Sequence, residues 1–390
     1  MKYDINNSRF AKLWDSTEGR QLVSIILNSP ELFKANYNFW RTKFSVDPQI
    51  TERQSDGTAN FSVTAREIEQ AVMMDMRAPL GDSDQMDKKG LSRYTGSIPD
   101  FIAKGWREQA MEREFRQKMY EEAFGNDTAM IALYANDVLQ KGRDAADMTL
   151  SNMAAQALST GKVVWNHGVG IQTPLYKADI PAANFTNAGT VVWSDTTNCK
   201  LLDQMAEKER HYKEDVWGKD IPLIWEIPYT IFVNYVLKNA QVIEWVKQWR
   251  RMNDKVWDVT TLNVTEEMFR EAIADFPGIS PIVIVREKQR DFNGEAFSVV
   301  SGWAEGKAVL RPAGYAGIVK RASILDAQIY PKYGANTQSR VFATKDVYTV
   351  MNTVLNNGNL KEWHTDVMMA AVPVLDEFLY HVILDTTTAD

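Results

Sequence analysis

The 390-residue chain has one cysteine, Cys199, and so cannot close an internal disulfide. That suits a reducing compartment and excludes a cystine-stapled scaffold. It has no apolar run approaching the roughly 18–20 residues of a membrane-spanning helix. The opening Met1-Lys2-Tyr3-Asp4-Ile5-Asn6-Asn7 carries no hydrophobic stretch behind its charge and does not read as a signal peptide. Cations are not in surplus either: 44 Lys and Arg against 51 Asp and Glu leave a net charge of −7. Phosphate contacts supply most of the affinity of nucleic-acid binders, so direct sequence-specific DNA binding is not expected. Glycine-rich phosphate loops are missing. Gly168-Val169-Gly170 lacks a third glycine, and Pro174 would interrupt a following helix, so this is read as a plain turn.

Side chains with catalytic potential are thinly spread. The four histidines, His167, His211, His364 and His381, form no zincin pattern and no known spacing with Cys199. His211 and Glu214 fit one helical face, but Lys208, Arg210 and Lys213 around them mark it as solvated and charged. Cys199 is expected to be a small buried side chain rather than a nucleophile. His381, between Tyr380 and Val382, reads as a sheet residue. Acidic pairs such as Glu207/Glu209 and Glu266/Glu267 could in principle serve a glycosidase. Trp193, Trp225, Trp245, Trp249 and Trp257 fall within apolar strands or helix faces, where a core role is expected. No catalytic, cofactor-binding or metal residue is assigned, no cofactor is expected, and the chain is not read as an enzyme.

What is present is a large supply of core material, 45% hydrophobic against 24% charged residues, enough for one large or several smaller domains. Residues 1–60 are polar and broken, with short apolar pieces and little core expected, which suits an arm laid over a neighbour or an ordinary N-terminal subdomain. Alternation at Phe61 and Val63 and again near Val72 to Met76 suggests strands around the polar loop Ala78-Pro79-Leu80-Gly81-Asp82-Ser83-Asp84-Gln85-Met86-Asp87-Lys88-Lys89-Gly90. Such an extended hairpin cannot bury itself and needs a partner surface.

Pro99 to Gly161 is the clearest helical region. Trp106, Ala110, Met111, Phe115 and Met119 recur at helical spacing up to Phe124. A second helix should end near Gly142, and a third should start at Asp144 and close at Gly161. Strands are expected at Lys162–Trp165, Thr190–Trp193, Pro222–Ile227, Pro281–Arg286, Phe297–Trp303 and Ala308–Arg311, with turns at Asn293-Gly294 and Glu305-Gly306. Helices are expected at Leu201–Glu214, Pro228–Val246 and residues 345–356. The tail from Val367 to Leu384 reads as two strands divided by Pro373. The fold class is α+β: arm, hairpin, long helix, then sheets with helices on them.

Two segments carry a resemblance. One is the helix-to-strand run Ser151-Asn152-Met153-Ala154-Ala155-Gln156-Ala157-Leu158-Ser159-Thr160-Gly161-Lys162-Val163-Val164-Trp165. The other is the glycine-bearing turn Val309-Leu310-Arg311-Pro312-Ala313-Gly314-Tyr315-Ala316-Gly317, supported by Ala371-Val372-Pro373-Val374-Leu375-Asp376 near the end. On these the chain resembles the major capsid proteins of tailed bacteriophages with the Hong Kong 97 fold, especially the lambda-like capsid family.

The resemblance implies an N-terminal arm at 1–60, an extended loop at 61–97, a peripheral domain with the spine helix at 98–200 and 335–390, and an axial domain at 201–334. It implies a structural virion subunit that assembles with itself into hexamers and pentamers. The icosahedral shell would form in the host cytoplasm, enclosing DNA without reading its sequence and without a membrane. Scaffolding, portal and decoration proteins are candidate partners. Some members crosslink through a lysine–asparagine isopeptide bond. Lys88 and Lys89 lie in the corresponding loop, but the lambda-like branch generally does not crosslink and no acidic catalyst can be assigned. Removal of a leader is not expected. The residues themselves agree, since an arm and a hairpin without local core should embrace neighbouring copies, as in obligate assemblies that bury over about 2,000 Å². The alternatives are an encapsulin-like shell protein and a soluble carbohydrate-active enzyme.

Overall fold

The computed structural model describes residues 38–66, 92–103, 106–109, 139–166, 172–254, 263–292, 297–324, 337–343, 346–357 and 360–390, with residues 17 and 21 besides. The expected arm up to residue 37, the loop 67–91, most of the expected first helices (110–138), the Gly168–Gly170 turn, Trp257 and the Asn293-Gly294 turn lie outside the described residues.

In chain order the elements are α1 (Phe39–Lys43), β1 (Phe44–Thr51), β2 (Asn60–Thr64), β3 (Arg93–Ser97), β4 (Phe101–Ile102), β5 (Trp106–Gln109), α2 (Gln140–Thr160), β6 (Lys162–Asn166), β7 (Gln172–Lys177) and β8 (Phe185–Asn187). Then come α3 (Leu201–His211), β9 (Leu223–Pro228), α4 (Ala240–Asp254), α5 (Glu266–Ile273), β10 (Ile282–Val285), β11 (Gln289–Phe292), β12 (Phe297–Val300) and β13 (Lys307–Pro312). The chain closes with β14 (Gly317–Ala322), β15 (Thr337–Ala343), β16 (Tyr348–Asn357), β17 (Leu360–Met369), β18 (Ala371–Leu375) and β19 (Val382–Asp385). It divides into two compact units, one drawing on Met1–Phe61, Gly96–Ala154 and Ile318–Pro373, the other on Ser62–Thr95, Ala155–Gly317 and Val374–Asp390.

The first unit is built on an antiparallel sheet ordered β15-β16-β17-β4, with β5 also on β17. β16 and β17 pair from Tyr348↔Met369 to Asn357↔Leu360. Helix α2 reaches this sheet at Gly142, where a Cβ would stand 2.3 Å from Val367 Cγ2. A glycine inside a helix costs about 1 kcal/mol relative to alanine; here that cost admits the strand. A smaller sheet, β1-β14-β18, completes the unit. Lys320 donates to the Asp47 carboxylate at 2.7 Å, and Arg321 donates to the Asp47 carbonyl at 3.0 Å, tying β14 to β1.

The second unit centres on the sheet β10-β9-β13-β19-β8, parallel at its two outer pairings and antiparallel in the middle. Leu223, Trp225 and Ile227 alternate onto one face with Ala308, Leu310, Val382 and Leu384. Helices α3, α4 and α5 cover it through Leu201, Met205, Val242, Val246, Phe269 and Ile273. Glu226 and Arg311 are fully buried, and Arg311 Nη2 donates to Glu226 Oε1 at 2.9 Å. The other amino group of Arg311 donates to the carbonyls of Pro312 and Gly314, each at 2.9 Å. The pair thus holds the corner after β13, where Gly314 takes a φ of +107° that side chains rarely adopt. A further sheet, β2-β3-β7-β6, carries the stacked Tyr94 and Tyr176, 5.4 Å between ring centres.

Several expectations are corrected. No break occurs at Gly142: α2 is continuous from Gln140 to Thr160, so that glycine is a close-approach position, not a stop. Phe101–Ile102 and Trp106–Gln109 lie on β17 as strands, because pairing with its backbone overrides the helical spacing that begins at Trp106. Of the expected helix 345–356, residue 345 lies outside the described residues, 346–347 are a bend, and 348–356 belong to β16, whose Thr349, Val350, Thr353 and Val354 are β-branched. Thr190–Trp193 forms no strand; Trp193 is buried singly and its N–H donates to Thr386 O. The expected helix Pro228–Val246 breaks before Ala240, where the Asn239 side chain accepts from the N–H groups of Gln241 and Val242 and starts α4 afresh. Pro373 sits inside β18 rather than dividing two strands, which an edge strand tolerates. The helix-to-strand junction at Gly161 (φ +68°) and the Glu305-Gly306 turn form where expected.

Gly142→Ala should lower stability, although an exposed glycine in a helix gains stability from the same change. Adding Val367→Ala should recover more than that variant's own loss predicts. Urea unfolding of the two single variants and the double checks this, and simple additivity would refute the contact.

Candidate assembly site

The described residues hold two places where the chain is mounted next to a stretch that lies outside the described residues. Both use charged groups, an exposed Arg66 on the nearly buried Glu377 in one and a fully buried Asp147 in the other.

In the second unit, β2 leads into residues 67–91 and β3 leads out of them. Ala65 N–H donates to Ser92 O at 2.9 Å, so the two feet stand side by side. The entry foot is Arg66. Its N–H donates to Asp376 O at 2.7 Å and its Nη2 to Tyr315 O at 2.8 Å. The guanidinium also pairs with the nearly buried Glu377 and lies 3.5 Å from Asp376. Burial pushes the Asp376 carboxyl up, against the attraction of Arg66. The exit foot is Tyr94, whose hydroxyl donates to Leu375 O at 2.6 Å and whose ring lies edge-on to Phe378 at 5.2 Å. One short segment, Leu375–Phe378, therefore grips both feet.

In the first unit, α1 follows residues 1–37 and is anchored on two carboxylates. Trp40 is buried and its indole N–H donates to Asp147 Oδ1 at 2.9 Å. Arg41 donates to the same oxygen at 3.0 Å and to Asp346 at 2.6 Å. Arg143 joins at 3.7 Å from Asp147 and 3.8 Å from Asp346. Two guanidiniums thus balance two carboxylates around a fully buried Asp147. Burial raises the Asp147 carboxyl, opposed by the charge of Arg41.

Among the described residues the side chains with catalytic potential do not converge. The Cys199 thiol is buried 3.4 Å from Gln204 Oε1, and burial, with the charge of Asp195, pushes it up to about 11. His211 Nδ1 pairs with Asp215 Oδ2 at 2.8 Å in the open rather than with Glu214. His364 stands in β17 opposite Thr353 and Arg107, and His167 lies outside the described residues. His381 just precedes β19 instead of lying in it. Fully buried, it donates from Nε2 to Leu158 O at 2.7 Å.

Glu209 is buried against Ser280 and Lys213, while Glu207 and Glu267 are exposed and Glu266 pairs with Arg270 and Arg286. Trp193 and Trp225 are buried; Trp245 and Trp249 pack against the same core and donate to Ala272 O and Asp275. A cleft of about 710 Å³ is lined in part by Tyr229, Tyr235, Glu287 and Trp303. Its Glu287 braces the backbone by accepting from Ser301 and Gly302. Among the described residues no group of three or more His, Cys, Asp or Glu is placed to hold a metal. The anchors Arg41, Arg66, Asp147, Asp376 and Glu377 were not singled out from sequence. Their only signal is acidic or basic residues directly abutting apolar runs, as in Val374-Leu375-Asp376-Glu377.

No family model matches the chain, and no curated protein does. Solved structures do. A candidate capsid protein of a prophage of E. coli CFT073 is 12% identical, covering 94% of this chain and 98% of its own, at a TM-score of 0.49. The capsid of Ralstonia phage GP4 is 10% identical, covering 89% and 87%, at 0.42. The procapsid of satellite phage P4 with its size-determination protein is 7% identical, covering 96% and 93%, at 0.42. Each of these TM-scores lies below 0.5.

Arg41→Met should cost on the order of 3 kcal/mol, because it strips a buried carboxylate of its closest cation. Arg41→Met with Asp147→Asn should recover part of that. Denaturation midpoints test this, and a negligible loss in the single variant would remove α1 as an anchor.

His381 is held neutral, its pKa lowered from 6.5 to about 4 by burial first and then by the charge of Arg311. The unfolded chain therefore takes up a proton below about pH 6.5 that the folded chain refuses. Stability should fall from there towards pH 4, by up to about 1.4 kcal/mol per pH unit on this account. His381→Gln should flatten that slope in unfolding measurements across the same window; an unchanged slope would show that other groups carry it.

Proposed function

We propose that this chain is the major structural subunit of a tailed-bacteriophage icosahedral capsid of the Hong Kong 97 kind, assembling into hexamers and pentamers around DNA. The observation that carries the reading is the shared mount of residues 67–91, where Arg66 and Tyr94 both grip Leu375–Phe378. It presents a 25-residue stretch whose centre, Ala78 to Gly90, has the Pro, Gly and Asp content of an exposed loop. A stretch so held, and without core material of its own, is stabilised by lying on a sister copy. The two segments that carry the family resemblance take matching forms, a helix ending in a left-handed glycine before a strand and a strand ending in a glycine corner.

On this reading residues 1–60 are the arm, 61–97 the extended loop, 98–200 and 335–390 the peripheral domain and 201–334 the axial domain. The particle forms in the host cytoplasm, with scaffolding, portal and decoration proteins as further partners. The chain's contribution is contact and enclosure, not turnover. The matched structures are of phage capsids; the reading stands on this chain's own residues.

Expressed alone or with a scaffold, the chain should give shells, rings or defined oligomers by sizing and negative-stain microscopy. Arg66→Ala with Tyr94→Phe should retain the circular dichroism of the parent and lose those assemblies. A compact monomer that persists at high concentration overturns the proposal.

A further inference from the structure

The sheet β2-β3-β7-β6 has an exposed face whose charge runs against that of the chain. Its four strands read Asn60-Phe61-Ser62-Val63-Thr64, Arg93-Tyr94-Thr95-Gly96-Ser97, Lys162-Val163-Val164-Trp165-Asn166 and Gln172-Thr173-Pro174-Leu175-Tyr176-Lys177. They contain three cations and not one Asp or Glu, in a protein of net charge −7. Strand alternation sorts them. Phe61, Val63, Tyr94, Val163 and Tyr176 are buried, so Ser62, Arg93, Lys162 and Lys177 point the other way. Arg93 donates to Ser62 Oγ, which puts those two on one face. Lys162 and Lys177 are register partners directly across β6 and β7. Both are exposed, and neither makes an ion pair among the described residues.

Like charges directly opposite on a sheet are destabilising. No carboxylate on these strands offsets the repulsion, so an anion from outside would. The character of the face decides which anion. The cores of protein interfaces are depleted in lysine and enriched in aromatic residues. Here the exposed residues of the strands are Arg93, Lys162 and Lys177 with Asn60, Thr64, Thr95, Thr173 and Pro174, and lysine, arginine and hydroxyl groups are those that contact phosphate oxygens. No helix or ribbon is offered to a groove, so base sequence is not read. We infer that the face bearing Arg93, Lys162 and Lys177 is a sequence-independent contact for the phosphate backbone of duplex DNA. This deepens the capsid reading, which brings DNA into the same particle, and rests on it.

The test uses the full chain, kept dilute, with a labelled mixed-sequence DNA duplex, followed by fluorescence anisotropy over a salt series. Up to three phosphates per copy predicts a log–log slope near −2.7 for each engaged copy. Lys162→Gln with Lys177→Gln should reduce that slope by about 1.8 while leaving the thermal midpoint unchanged or raised. Scrambling the duplex sequence should change nothing. Absence of salt-sensitive binding, equal binding by the double variant, or polyglutamate binding as tightly as DNA would each overturn the inference, the last by pointing to an acidic protein surface. The double variant should still form shells. Failure of the parent to form shells counts against the assembly reading and leaves the binding result legible.

Discussion

The grip of Leu375–Phe378 on both feet of residues 67–91 is the constraint from which the second unit's working surface follows. Arg66 and Tyr94 reach the same short turn from opposite strands, one through carbonyls and carboxylates, the other through a hydroxyl and ring contacts. Bringing the ends of a 25-residue stretch together costs closure entropy wherever that stretch finally lies. In this chain the cost is met within the unit, by the hydrogen bonds that Leu375 and Asp376 accept from Tyr94 and Arg66. The turn continues through Phe378–Tyr380 into β19 at the heart of the five-stranded sheet, so the mount is seated on the best-packed part of the unit.

The same economy of charge recurs. Arg41 and Arg143 with Asp147 and Asp346, and Arg311 with Glu226, are balanced groups largely out of water. Buried ion pairs of this kind add little net stability over apolar packing, yet removing one partner is costly. Their value here is positional: each fixes a segment of backbone that has no regular ladder of its own, the α1 turn in one case and the Pro312–Gly314 corner in the other. The buried carboxylates Glu209 and Glu287 are likewise engaged with backbone or hydroxyl donors. Carboxylates committed to bracing backbone are poorly placed to trade protons with a substrate.

Much of the second unit was legible because its signals are local. Val163, Leu223, Trp225, Ile227 and Ala308 to Arg311 lie in strands that their β-branched and apolar alternation marks, and Leu201 to Glu214 is helical as its spacing requires. The first unit was read less well because its decisive interactions are distant in sequence. Trp106 to Gln109 has a good helical pattern and yet follows the backbone of β17, more than 250 residues away. Gly142 looks like a stop until Val367 is found against it. The mount itself was invisible for the same reason: Arg66 and Glu377 are ordinary charged residues until the fold brings them together.

The proline in the last strand but one has a consequence for crowding. β18 stands at the margin of its three-stranded sheet, and Pro373 leaves a gap in the row of donors at the centre of that strand. An uninterrupted margin is a template on which another chain can add itself. With that gap, and with all five residues of β18 buried, this margin offers stray growth neither a full row of donors nor an open strand.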